Sequence, residues 1–383
     1  MERSFRRFLV ISPGARSRRF QAFMAMDAFD EAFREAEGIL DAWDPCEADA
    51  LSSPWDDDLC HWRDEGFYRR RLDRLESLTR PSSPWPFHFR GLLRLHLGEF
   101  REALREFGRP DRFPVERYGW MRYGAGLAHL FRGNASQDEA AEQFAAALRS
   151  KPDAFWSRGR LAEALLCLGR ERAAFAQFDL ALASQRSAGV KAQIRAWRGE
   201  ALLWLGRYER AVRELDRAMD GGSQLAICWR GAARMLLDDR AGAEEDLDRA
   251  VGLDPADGEA LVWRGELYRR TGRLREALAD LGRAVVLRAG PWARVNRALA
   301  RAALGDAAGM REDLAVLPCS ILGRGRGRWR GPRGSDAEAV AALEAAVRAA
   351  RGVRRAEPYL EALWRRSGPA EAPEAAKSWR WRR

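Results

Sequence analysis

The sequence predicts an all-α fold, a solenoid of tandem helix-turn-helix units. Three observations predict it. The tripeptide Trp-Arg-Gly occurs at 197–199, 229–231 and 263–265, each time followed by a similar run of small and apolar residues. Each glycine opens a shared ladder: Gly206, Asp238 and Gly272, then Ala211, Ala243 and Ala277, then Leu215, Leu247 and Leu281, then Ala218, Ala250 and Ala284. The ladder extends outward to Gly91, Gly126, Ala162 and Ala298, so the anchors 91, 126, 162, 199, 231, 265 and 298 stand 32 to 37 residues apart. A period of that length marks stacked supersecondary units, none of which can bury its apolar face alone.

Each unit is long enough for two helices. Small residues at the anchor and near the unit's end let the two helices approach closely. The glycine seven residues after the anchor ends the first helix, where a positive φ is inexpensive. Pro152 and Pro255 follow second helices and stop them. The outer copies keep the order: Gly98, Ala103 and Phe107; Gly133, Ala140, Phe144 and Ala147, with two residues inserted; Gly169, Ala174, Phe178 and Ala181; Gly305, Met310 and Leu314.

At these residues the chain resembles the tetratricopeptide repeat family, over roughly Pro84 to Leu317. The small anchor, turn glycine, alanine, leucine or phenylalanine, second alanine and late proline match that family's pattern in order. Asp238 in place of the turn glycine and Met310 in place of the small alanine depart from it. The resemblance implies a right-handed superhelix whose first helices line a concave groove that holds partner peptides.

The remaining segments are read around that array. Residues 1–45 are expected to form a divergent helix pair, with Ala32 and Ala36 on one helical face. Residues 46–83 break the period and read as an irregular insertion with one helix, about Leu59 to Leu78. Seven repeats occupy 84–322, and GRGRGRWRGPRG at 323–334 reads as an Arg/Gly linker. Residues 335–369, opened by a Ser335–Glu338 capping box, are expected to cap the array, and 370–383 form a basic tail.

Number each unit so that its anchor is position eight. Position seven is Arg90, Arg198, Arg230, Arg264 and Arg297 in five units, and position twenty-three in those units is Glu106, Glu214, Asp246, Asp280 and Asp313. The two other units carry Ala125 and Leu161 with Gln143 and Gln177. The acid is present where the arginine is, so each pair is expected to meet across its helix pair as a structural ion pair.

Every unit also places one Trp on a single face of its first helix. Position two holds Trp85, Trp120, Trp156 and Trp292; position six, one turn on, holds Trp197, Trp229 and Trp263. Two readings stand. The rings staple adjacent first helices, or they leave faces open in a groove where Trp197, Trp204, Trp229, Trp263, Trp156 and Trp292, with Glu200, Glu266 and Arg270, contact a partner.

Bulk properties bound the function. The 66 basic and 56 acidic residues are interspersed along most of the chain, which suits salt-bridged helices better than one nucleic-acid face. Cysteines at 46, 60, 167, 228 and 319 form no CxxC and suit a reducing, cytoplasmic setting. No apolar run is long enough for a membrane span. The run Asp56-Asp57-Asp58 with Cys60 and His61 reads as a solvated acidic helix start, because neighbouring helix residues diverge too far to share an ion. His61, His88, His96 and His129 sit in no catalytic pattern, and no cofactor or metal is expected. The expected function is a non-catalytic scaffold that binds a protein or peptide. An accessory, substrate-presenting subunit of an enzyme complex is the alternative. A nucleic-acid adaptor working through the Arg/Gly linker comes third.

Overall fold

A computed structural model describes residues 29–42, 65–77, 84–108, 119–132, 136–287, 289 and 291–315. Among the described residues there are sixteen helices and no strand. Ahead of the repeats lie α1 (Phe29–Ala42) and α2 (Glu65–Glu76). The seven helix pairs follow as α3 (Trp85–His96) with α4 (Phe100–Gly108), α5 (Gly119–Arg132) with α6 (Gln137–Ser150), α7 (Phe155–Cys167) with α8 (Glu171–Ser184), α9 (Ala188–Trp204) with α10 (Tyr208–Asp220), α11 (Leu225–Leu236) with α12 (Arg240–Leu253), α13 (Gly258–Arg270) with α14 (Leu274–Val286), and α15 (Pro291–Ala303) with α16 (Ala307–Ala315). The Arg/Gly linker, the expected capping helices, the basic tail and the acidic run at 56–61 lie outside the described residues. No helix among the described residues is long and apolar enough to cross a membrane.

The chain divides into two compact units. One comprises residues 1–131, 142–157 and 380–383; the other comprises 132–141 and 158–379. In the second unit each helix from α8 to α15 packs on the next, and the first helices α9, α11, α13 and α15 also pack on one another in succession. In the first unit α2 packs on α3 as second helices elsewhere pack on the first helix that follows. Tyr68, Leu72 and Leu75 of α2 are buried, and Arg90 Nη1 of α3 reaches the Leu75 carbonyl at 3.5 Å. Phe33 of α1 stacks on Phe89 of α3, and Ala32 and Ala36 are fully buried. The helix that the sequence puts inside an irregular segment therefore takes the place of a second helix, at Glu65–Glu76.

The Trp-Arg-Gly anchor has a steric cause. A Cβ on Gly199, Gly231 or Gly265 would lie 2.6, 2.8 or 2.6 Å from the Cγ of Leu215, Leu247 or Leu281, sixteen residues on. The same holds for Gly91 against Phe107 and Gly126 against Phe144. In these five pairs the second helix thus presses an apolar side chain onto bare backbone of the first. Leu215, Leu247 and Leu281 are fully buried there, each contributing about 2 kcal/mol of transfer free energy.

The turn between the two helices is also common to the units. Gly206 has φ 72°, its N–H bonds the Leu203 carbonyl, and the Arg207 N–H bonds the Leu202 carbonyl. Asp238 holds the same geometry without being glycine: φ is 67°, and the N–H groups of Asp238 and Asp239 bond the carbonyls of Met235 and Arg234. The departure in sequence leaves the turn unchanged.

Candidate functional site

The five position-seven arginines meet their acids. Arg90 Nε donates to Glu106 at 3.1 Å, Arg198 Nε to Glu214 at 2.9 Å, and Arg297 Nε to Asp313 at 2.9 Å. Arg230 and Arg264 bind in bidentate fashion: Nε and Nη2 reach Asp246 at 2.8 and 2.6 Å and Asp280 at 2.6 and 2.9 Å. Donation to Asp246 raises the pKa of the Arg230 guanidinium above its ordinary value, and donation to Asp280 does the same for Arg264.

Three of these arginines reach further. The Nη1 atoms of Arg198, Arg230 and Arg264 donate to Asp179, Asp216 and Asp248 at 2.7, 2.7 and 2.9 Å, each on the second helix of the preceding pair. One guanidinium thereby joins its own helix pair and ties it to the previous one. Sequence reasoning missed this second partner, although an Asp at position twenty-five in three consecutive units was a signal for it. It also missed the substitute used where position seven is not arginine. Arg122 and Arg158, one turn earlier, donate to Gln143 and Gln177 at 3.2 and 3.0 Å.

On the face of the first helices, Trp229, Trp263 and Trp292 are only 4, 6 and 2% exposed. They lie in one cluster with Trp204, Ala226, Ala260 and Ala293 of neighbouring first helices, so these indoles staple the stack instead of presenting open faces. Glu200 and Glu266, expected beside an open groove, are buried with them. Their charges are compensated locally. Trp204 Nε1 donates to Glu200 at 2.8 Å, while Arg269 and Arg270 donate to Glu266 from their Nε atoms at 2.8 and 3.0 Å. Glu259, which the sequence did not single out, accepts from Trp229 Nε1 at 3.2 Å. Cys228 packs in the same cluster, and burial, aided by the carboxylates of Asp257, Glu259, Glu200 and Asp246, raises its thiol well above its ordinary value.

Two expected partner contacts keep exposed surface in the second unit. Trp197 is half-buried, its ring over the bare backbone of Gly159, where a Cβ would lie 2.9 Å away. Arg270 leaves 33% of its side chain exposed while Glu266 holds its Nε. Trp156, half-buried in the first unit, lies beside Phe155 with ring centroids 4.8 Å apart. No group of three or more metal-ligating side chains occurs among the described residues.

The helix pairs, anchors and turns define an all-α stack of successive helix pairs, a fold like that of tetratricopeptide repeat proteins. A monomeric mutant of IFIT1, determined with m7Gppp-AAAA, is 14% identical to this chain; the match covers 80% of this chain and 77% of that one, with a TM-score of 0.52. A tetratricopeptide repeat protein from Parabacteroides merdae is 15% identical over 61% of this chain and 91% of its own, with a TM-score of 0.44. YrrB, a tetratricopeptide repeat protein with an unusual peptide-binding site, is 22% identical over 45% and 90%, with a TM-score of 0.32. No family model matches the chain, nor does any curated protein.

Proposed function

We propose that this protein is a non-catalytic scaffold that binds a protein or peptide segment along its stacked first helices. The observation that carries the reading is the preorganised face of α9, α11 and α13. Its buried carboxylates Glu200, Glu259 and Glu266 are already hydrogen-bonded by indole and guanidinium groups, so the face is rigid before a partner arrives. Trp197, half-buried, and Arg270, a third of its side chain exposed, are the expected contacts of this face that keep open surface, an aromatic ring and a guanidinium of the kind that anchors interfaces. The buried indoles hold the helices at their spacing and contribute to binding through that geometry.

The test is capture from the native host with the intact protein and with a variant carrying Trp197→Ala and Arg270→Glu. Arg269 still pairs Glu266 in this variant, circular dichroism and denaturant unfolding check that it folds, and the folded variant is expected to lose the captured partners. An unchanged set of partners at unchanged amounts would remove this face from the account.

A further inference from the structure

We propose that a second surface of the protein, the cleft over α9 between α8 and α10, binds a partner segment that carries an acidic side chain next to an apolar one. The proposal rests on the scaffold reading and adds a site on different helices.

The cleft has a volume of about 290 Å³ and is lined by Phe175, Asp179, Arg198, Leu202, Arg210, Arg213, Glu214 and Arg217. Four guanidinium groups therefore face two carboxylates. Arg198 is committed, since it bonds both Asp179 and Glu214. Arg210, Arg213 and Arg217 are exposed on one side of α10 and make no ion pair among the described residues. The repeat does not require them. The equivalent positions are Ala173, Ala176 and Leu180 in the unit before, Gly242, Glu245 and Arg249 in the unit after, and Glu276, Ala279 and Arg283 in the next. Features that serve stacking recur in unit after unit; this basic triad does not.

The cleft's own acids are already held: Glu214, its side chain 7% exposed, is bonded by Arg198 and lies 3.9 Å from Arg195 Nε, and Asp179 is bonded by Arg198. The cleft thus offers unpaired cations at its rim and an apolar floor in Phe175 and Leu202. A peptide with an acidic side chain next to an aliphatic one satisfies both, whereas a phosphate chain satisfies the first alone. The apolar floor therefore favours an acidic peptide segment over a nucleic acid.

The experiment uses the full chain and fluorescence anisotropy with a short labelled peptide of alternating glutamate and leucine. Competitors are a lysine-leucine peptide, inorganic phosphate and a single-stranded RNA oligonucleotide. The glutamate-leucine peptide is expected to bind, and the variant with Arg213→Glu and Arg217→Glu to weaken it by roughly tenfold or more. Arg249→Glu, at the equivalent position of the following unit, is expected to leave binding unchanged. Circular dichroism of the double variant should match the parent, because neither arginine has a partner to lose. No binding of the acidic peptide, or equal binding by parent and double variant, overturns the proposal. Tighter binding of RNA or phosphate through Arg213 and Arg217 also overturns it, in favour of a phosphate ligand. The two surfaces separate in the host capture experiment. Partners lost with Trp197→Ala and Arg270→Glu but kept with the Arg213 and Arg217 changes leave the scaffold reading standing and the cleft without a role.

Discussion

Leu281 of α14 rests on Gly265 of α13: a Cβ added to the glycine would lie 2.6 Å from Leu281 Cγ and 3.4 Å from the Ala277 carbonyl. Gly282, one residue beyond the leucine, meets nothing within 4 Å. The two glycines give opposite predictions. Gly265→Ala should destabilise the protein by about 1–3 kcal/mol through overpacking. Gly282→Ala should stabilise it by up to about 1 kcal/mol, because alanine is the better helix former at an open position. Urea unfolding of both variants checks this pair.

Asp238 is the one non-glycine with positive φ among the described residues, in a turn where its counterparts are Gly206 and Gly272. Asp238→Gly should raise stability by about 1 kcal/mol by removing left-handed strain. The lost contact with Arg240 offsets little of this, since both side chains are exposed. A higher midpoint in thermal or denaturant unfolding is the expected result.

His88 is fully buried among Trp85, Phe89, Phe107 and Trp120, and burial lowers its pKa from 6.5 to about 3. The folded value is depressed, so the neutral ring's stability is fully present above the unfolded value and is lost as pH falls from 6.5 toward 3. The loss runs at about 1.4 kcal/mol per pH unit, or roughly 2 kcal/mol by pH 5. His88→Phe removes this dependence. The stability difference between parent and variant should shift by that amount in the variant's favour between about pH 7 and pH 5.

The ion pairs were legible because the chain is its own comparison: where position seven loses its arginine, position twenty-three loses its acid. Asp179, Asp216 and Asp248 carried a similar signal, but reading it requires comparing each unit with the next. The glutamine pairs escaped because Arg122 and Arg158 enter from one turn earlier, outside the register that defined the pattern. Burial of the indoles was not legible. Positions two and six share a face, and a ring there is open or covered according to how closely the next first helix approaches. Ala226, Ala260 and Ala293, fully buried between those helices, set that approach. The Arg210, Arg213 and Arg217 triad stood in the sequence as an interruption of the repeat, but only the cleft beside it gives the interruption a use.

The central claim is that Trp-Arg-Gly recurs because it locks helix pairs, with the arginine as the electrostatic half of the lock. The most direct measurement is a double-mutant cycle on Arg264 and Asp280, read by denaturant unfolding. Asp280 is buried, so Arg264→Ala strands its charge and should destabilise by about 3 kcal/mol or more. Combining it with Asp280→Ala should restore part of that loss, leaving the double variant more stable than Arg264→Ala alone. Additive losses from the two substitutions would contradict the lock.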